Sequence, residues 1–250
     1  SLLGLTILGL SFITGARAAP AELPAPELTE SWEPVPAMVA TPAGRAPSDA
    51  IVLFDGRDTG EWSSVKGGDV PWKIEDGALV IVPRSGNIRT KASFGDIQLH
   101  LEFRTPAGSQ EQGQNRGNSG VFFMGRYELQ VLDSVDNPTY VNGQAGSIYK
   151  QQAPLVNASR RGGEWQTYDV VWIAPRFSSD GKLASPARMT VFLNGVLVQY
   201  DAVLSGPTLY RGTPRYAAHG LEEPLELQDH RNPTAFRNIW VRKIARPATR

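Results

Sequence analysis

Ile97-Gln98-Leu99-His100-Leu101-Glu102-Phe103-Arg104 alternates an apolar with a polar residue at every step. Period-2 alternation marks a β-strand with one face in a core, here Ile97, Leu99, Leu101 and Phe103, and the other toward water. Working outward, Ile51-Val52-Leu53-Phe54 is a short apolar strand before the Asp55-Gly56 turn. Asp76-Gly77 sits between 72–75 and 78–82, and Asn194-Gly195 between 189–193 and 196–200. Both dipeptides are strong two-residue hairpin signals. Further strands are expected at 120–124, 127–132, 167–173, 225–230 and 239–244. No segment sustains a helical period beyond a turn or two, and no fixed-period repeat or second apolar core is present. Many short alternating strands with Gly, Pro and Asn-Gly punctuation predict one all-β domain, a sandwich or barrel, over residues 51–246.

Composition narrows the function classes. Hydrophobic content of 41% and charged content of 20% suit a soluble globular protein. A formal net charge of zero, with Arg scattered rather than clustered, argues against nucleic acid or an anionic membrane as an obligate partner. The absence of Cys excludes disulfides, thiolate catalysis and Cys-ligated metals. His-x-His, His-Glu-x-x-His, phosphate-cradling Gly loops and G-x-S-x-G are all missing.

At the start, Leu2 to Phe12 is apolar and Ala16-Arg17-Ala18 is an A-x-A cleavage pattern. Residues 1–18 are therefore expected to be an export signal whose beginning is truncated, which places the mature protein in the periplasm or outside the cell. The apolar run is too short to span a bilayer. Residues 19–50, rich in Pro and Ala, are expected to be an extended linker, with Trp32 able to dock on the domain.

Two polar rows are candidates for chemistry. Tyr127-Glu128-Leu129-Gln130-Val131 sends Glu128 and Gln130 to one face, and Leu225-Glu226-Leu227-Gln228-Asp229-His230 does the same with Glu226, Gln228 and His230. If both strands share one curved sheet, Glu128, Gln130, Gln228 and His230 line a polar groove; the alternative is a solvated outer face. The Gln/Asn/Gly-rich stretch Ser109 to Ser119, containing Asn118, and the stretch Gly143 to Tyr149 are candidate rims. Trp165 is a candidate sugar platform or a core residue. Arg237 is either a donor to a substrate oxygen or one partner of a structural salt bridge.

These motifs, in order, are similar to the 3-keto-disaccharide hydrolase domain family. The matching residues begin with Phe54-Asp55-Gly56, Trp62, Trp72-Lys73-Ile74 and Gly77-Ala78-Leu79, followed by Asn118-Ser119-Gly120-Val121 and Tyr127 to Asp133. They continue with Gly163-Glu164-Trp165, Leu193-Asn194-Gly195, Leu227-Gln228-Asp229-His230 and Phe236-Arg237-Asn238-Ile239. The resemblance runs from about Ile51 to Ile244. It implies a concanavalin A-like jelly roll of two antiparallel sheets, and an exported bacterial enzyme that cleaves glycosides oxidised at C3. Family members usually read Gln-Asp-His-Gly, whereas here Arg231 follows His230.

A C3 carbonyl acidifies the C2 proton, so elimination of the C1 substituent and later addition of water amount to hydrolysis. Such a site needs a base near neutral pKa, donors for the enolate oxygen and an acid for the leaving group. On this resemblance His230 is the base, Glu128 the acid or a second base, and Arg237, Asn118 or Gln228 the enolate donors. Gln130, Gln228, Asn118, Tyr149 and Trp165 would bind the sugar. A divalent cation is an optional cofactor, with Glu128 and His230 as its ligands. Two other readings stay open: a carbohydrate-binding module without turnover, and a conventional glycosidase pairing Glu128 with a second carboxylate such as Glu226.

Overall fold

The computed structural model describes residues 25–245. The expected export signal at 1–18 and the first residues of the expected linker lie outside them. The chain divides into two compact units, Ser1–Met38 and Val39–Arg250. In the first, the described residues carry one 3₁₀ turn, Pro26–Thr29, and are solvent-exposed, Trp32 included. The second unit begins at Val39, a dozen residues ahead of the boundary expected at 51. The reason is polar: Ser48 Oγ accepts from the Ala40 amide, and the Asp49 carboxylate takes the Arg242 guanidinium of the last strand. Such contacts leave no hydrophobic periodicity to read.

The second unit is an all-β jelly roll of antiparallel strands. Its first eight strands are β1 (Ile51–Phe54), β2 (Trp62–Ser64), β3 (Lys73–Glu75), β4 (Ala78–Val80), β5 (Ile88–Phe94), β6 (Ile97–Arg104), β7 (Ser119–Phe123) and β8 (Tyr127–Val131). The rest are β9 (Gln166–Ile173), β10 (Arg176–Phe177), β11 (Leu183–Ser185), β12 (Arg188–Leu193), β13 (Val196–Val203), β14 (Glu223–Leu227) and β15 (Ala235–Lys243). An eight-stranded sheet runs β13-β12-β9-β6-β15-β4-β3 with β1 also on β15, and a five-stranded sheet runs β2-β5-β14-β7-β8. The hairpins at Asp76-Gly77 and Asn194-Gly195 close as expected, with positive φ at all four turn residues.

Alternation places the core between the sheets. From the larger sheet come Leu99, Leu101, Phe103, Tyr168, Val170, Trp172, Phe236 and Val241; from the smaller come Ile88, Val121, Phe123, Leu129, Val131, Leu225 and Leu227. Trp172 on β9 stacks 5.0 Å from Phe123 on β7 and 5.2 Å from Tyr127 on β8, tying the layers together. Tyr168 on β9 reaches through the core to donate its hydroxyl to the Gln130 carbonyl at 2.6 Å. The strand that carries Glu128 is thus anchored from below. Its free edge is covered too: Gly146 to Tyr149 folds alongside, with Gln130 N–H donating to Ser147 O, Gly146 N–H to Gln130 O and Tyr149 N–H to Glu128 O.

Candidate active site

The outer face of the five-stranded sheet follows from register. Phe122 on β7 lies opposite Glu226 on β14 and opposite Glu128 on β8, so these three share a face. One step on, Gly120 lies opposite Gln130 and accepts the Gln228 amide at 3.0 Å. On this face a cleft of about 300 Å³ is lined by Asn118, Phe122, Glu128, Gln130, Tyr149, Thr208, Tyr210, Gln228 and His230. The structure therefore brings together Glu128, Gln130, Gln228, His230, Asn118 and Tyr149.

Gly120 makes room for the carboxylate. A Cβ at this position would stand 2.7 Å from Glu128 Oε1 and 2.9 Å from the Phe122 ring. Glu128 is only 4% exposed, and its carboxylate has no hydrogen-bond partner among the described residues. Burial pushes its pKa up to about 8, so it holds its proton at neutral pH. Desolvation moves His230 the other way, below the usual imidazole value, so it is neutral there. A neutral carboxylic acid and a neutral imidazole in one cleft are an acid and a base in their working states.

Amides complete the walls. Gln114, in the 3₁₀ turn Gly113–Asn115, accepts from Asn118 Nδ2 through its carbonyl at 2.7 Å and from Gln130 Nε2 through Oε1 at 3.1 Å. Its own Nε2 donates to Thr139 Oγ1 and Gly143 O. Asn118 and Gln130 thus direct their N–H groups to Gln114. Gln130 Oε1, Gln228 Oε1 and His230 Nδ1 are buried and have no partner among the described residues. Buried polar atoms are rarely left so unless something else binds them. At the mouth, the Tyr149 and Tyr140 hydroxyls meet at 2.6 Å, and Lys150 Nζ donates to Tyr210 O at 2.8 Å while lying 4.1 Å from the Tyr210 ring centre. Burial, with Tyr140 adding to it, raises the Tyr149 pKa.

The segment carrying His230 is locked. Asp229 Oδ2 accepts the Gly86 amide, Asn87 Oδ1 accepts the Asp229 amide, Asn232 Nδ2 donates to the His230 carbonyl, and Ser119 Oγ donates to the Gln228 carbonyl. Of the three histidines, His230 alone lines the cleft: His100 pairs with Asp169 and His219 with Tyr127.

Two expected site residues lie elsewhere. Arg237 points outward from β15 in the eight-stranded sheet, away from buried Phe236, and its Nε donates to Glu102 at 2.7 Å. Its guanidinium stacks 4.0 Å from the Trp165 ring centre, with Arg104 at 4.7 Å from the same ring. Trp165 covers the small apolar cluster of Ala78, Val80 and Ala235. Both residues consolidate the far side of the sandwich, so neither serves as enolate donor or sugar platform in the cleft. Asn118, its NH₂ committed to Gln114, offers the cleft a carbonyl rather than a donor.

Glu226 is not among the residues that line the cleft. Its Oε1 accepts from Asn87 at 2.5 Å, Phe122 stands between it and Glu128, and two strand spacings separate the backbones by about 10 Å. Among the described residues, no three His, Asp or Glu side chains gather as metal ligands. A hard cation between Glu128 and His230 would need the Gln130 and Gln228 oxygens to fill its shell, and these are the right donor type.

Sequence reasoning missed Phe122, Thr208 and Tyr210, whereas Gln114 falls within the expected amide rim Ser109 to Ser119. Phe122 was findable, because Val121 and Phe123 point inward. Thr208 and Tyr210 arrive on an irregular connection held by polar bonds such as Thr208 N–H to Arg126 O and Lys150 Nζ to Tyr210 O.

The model of the 3-keto-alpha-glucoside-1,2-lyase-like domain matches residues 49–242. A candidate glycosyl hydrolase from Parabacteroides distasonis ATCC 8503 is 45% identical, with 88% of this chain and 97% of that one covered and a TM-score of 0.85. A second candidate glycosyl hydrolase from the same organism is 20% identical over 79% of this chain and 94% of that one, at a TM-score of 0.59, and shares the fold. No curated protein sequence matches.

Proposed function

The chain belongs to the 3-keto-alpha-glucoside-1,2-lyase-like domain family, and from that premise we propose that its cleft cleaves glycosides oxidised at C3. The observation that carries the reading is that buried Glu128 and His230 line one cleft with amide oxygens that have no partner among the described residues, burial raising the pKa of the first and lowering that of the second. Membership supports a glycoside-acting enzyme in general; the acid–base pair supports elimination in particular. His230 takes the C2 proton through Nε2, in the tautomer that keeps hydrogen on the buried Nδ1. The C–H electron pair becomes the enolate of the C3 ketone, then forms the C1–C2 double bond as the C1–oxygen bond breaks. Glu128 delivers its proton to the departing oxygen. Water then adds across the double bond, hydroxyl to C1 and proton to C2, completing net hydrolysis. The Gln228 amide and the Tyr149 hydroxyl are the donors available for the enolate oxygen.

A kinetic isotope effect tests this. A 3-keto-glycoside deuterated at C2 should be cleaved several-fold more slowly than its protium form, and the matching unoxidised glycoside should not be cleaved. Equal rates for both isotopologues would remove C2 proton transfer from the mechanism. Ligand binding without turnover would instead identify a carbohydrate-binding module.

Gly120→Ala gives a second test. The added methyl displaces the Glu128 carboxylate and the Phe122 ring, both of which can move, so folding should survive. Turnover should fall by about tenfold or more through misplacement of the acid, while the thermal melt stays within a few degrees of wild type. An unaltered rate would mean that the Glu128 position is not critical.

Export to the periplasm or medium is part of the same proposal, supported by the apolar 2–12 stretch and the Ala16-Arg17-Ala18 pattern. Fractionation of cells expressing the full gene checks it.

A further inference from the structure

Gln114 stands behind the cleft wall and lines none of it. Asn137, only 6% exposed, clamps its turn by accepting the Gly113 amide at 2.7 Å and donating to the Gly113 carbonyl at 3.0 Å. Gly143 lets the side chain close in, since a Cβ there would stand 2.9 Å from Gln114 Nε2. A backbone carbonyl can only accept, so the Gln114 amide must turn its NH₂ to Gly143 O, at 2.9 Å. Its Oε1 then faces Gln130 Nε2 at 3.1 Å. Gln130 is obliged in turn to lead with its NH₂, and the end turned away from Gln114 is the buried, unpartnered carbonyl. Asn118 obeys the same logic, because its Nδ2 donates to the Gln114 carbonyl at 2.7 Å. Three linked amides are left with one orientation.

The opposite flank is not constrained in this way. Gly120 forms the floor, pairing with Gln130 on one side while its carbonyl accepts the Gln228 backbone amide on the other. The Gln228 side chain makes no hydrogen bond among the described residues, so it can present either end to a ligand. His230 lines the cleft two residues beyond Gln228. A ketone oxygen is an acceptor, and against a fixed carbonyl it finds no donor. On the Gln228 flank it finds one, and the carbon next to the ketone then lies toward the base.

We infer that Gln114 is a positioning residue: it holds the Gln130 carbonyl toward the bound ring, so that a ring hydroxyl faces β8 and the ketone turns to the Gln228 flank. The inference rests on the activity proposed above and adds to it the way round in which the ring binds.

Gln114→Glu and Gln114→Met separate positioning from structure. Both weaken the bonds to Thr139 and Gly143, but only methionine also removes the acceptor that orients Gln130. Each protein would be assayed on the 3-keto-glucoside of 4-nitrophenol and on its 4-deoxy-4-fluoro and 6-deoxy-6-fluoro forms. Fluorine cannot donate, and its inductive effect is common to all the proteins and cancels in the comparison. In wild type and Gln114→Glu, one fluorinated substrate should have a KM about tenfold above the parent's, as a buried acceptor left unpaired implies. In Gln114→Met the ratio should fall to about threefold or less, because a freed Gln130 amide can turn its NH₂ to the fluorine. Gln130→Met removes the carbonyl itself, should give the same low ratio, and carries the test if Gln114→Met does not fold. Equal ratios in Gln114→Glu and Gln114→Met, with the parent cleaved, overturn the role of Gln114. A wild type indifferent to both fluorinated substrates overturns the fixed carbonyl. If wild type cleaves none of the three substrates, the proposed activity fails, and this inference with it.

Discussion

His230→Ala should lower turnover of a 3-keto-glycoside by about 10²–10⁴-fold, the usual contribution of a positioned general base. No other histidine can substitute, since His100 and His219 are bound elsewhere. The effect should fall on kcat rather than KM, because Asn118, Gln130, Gln228 and Tyr149 still line the cleft. Stability should change little, as His230 Nδ1 is a buried atom without a partner among the described residues. Steady-state kinetics beside a thermal melt would settle the point. A variant retaining a tenth or more of wild-type kcat would show that the base is another group.

Glu128→Gln should produce two effects of opposite sign. Activity should drop by a factor of the same order, because an amide cannot protonate the leaving group. Wild-type activity should follow a bell, rising with pH as His230 loses its proton below its ordinary value and falling near pH 8 as Glu128 ionises. The variant's residual rate should lack the falling limb. Stability should move the other way. Burial raises the folded pKa of Glu128 to about 8, above the ordinary carboxylate value of 4.5, so the folded state binds this proton more tightly than the unfolded chain. The resulting stabilisation is complete below the unfolded value and is lost as pH rises through about 8. At pH 9 wild type carries a buried, unpaired charge that the variant lacks. The advantage is on the order of a few kcal/mol, at roughly 2–4 °C per kcal/mol for a domain of this size. Melting curves at pH 5 and pH 9 would test the sign. A variant less stable than wild type at pH 9 would mean that the carboxylate is solvated or paired.

Alternation made the sandwich and half of the cleft legible. It correctly sent Glu128, Gln130 and Gln228 outward and Phe236 inward, because a buried face constrains every second residue. It does not say which sheet a strand joins. Arg237 was therefore expected near Glu128, although β15 belongs to the other layer. Strand β5, an interior strand of the site sheet, was invisible for a different reason: its inward position Thr90 is polar, and its hydroxyl takes the Leu225 amide and donates to Ala92 O. The fate of Glu226 depended on Asn87, far away in sequence, and the leading boundary on an ion pair between Asp49 and Arg242. Polar contacts between distant residues carry no period, so a single sequence cannot announce them.

The segment from Gly146 to Tyr149, which hems the exposed side of β8 and brings Tyr149 to the cleft, ties two properties to one stretch of chain. Deleting or lengthening it would strip the backbone groups of Glu128 and Gln130 of their partners and leave a ready template for intermolecular β-pairing. Selection for new substrates would then collide with selection against aggregation. Divergence of specificity in this scaffold should accordingly accumulate at exposed turn positions such as Arg231, whose side chain can change without unzipping a sheet.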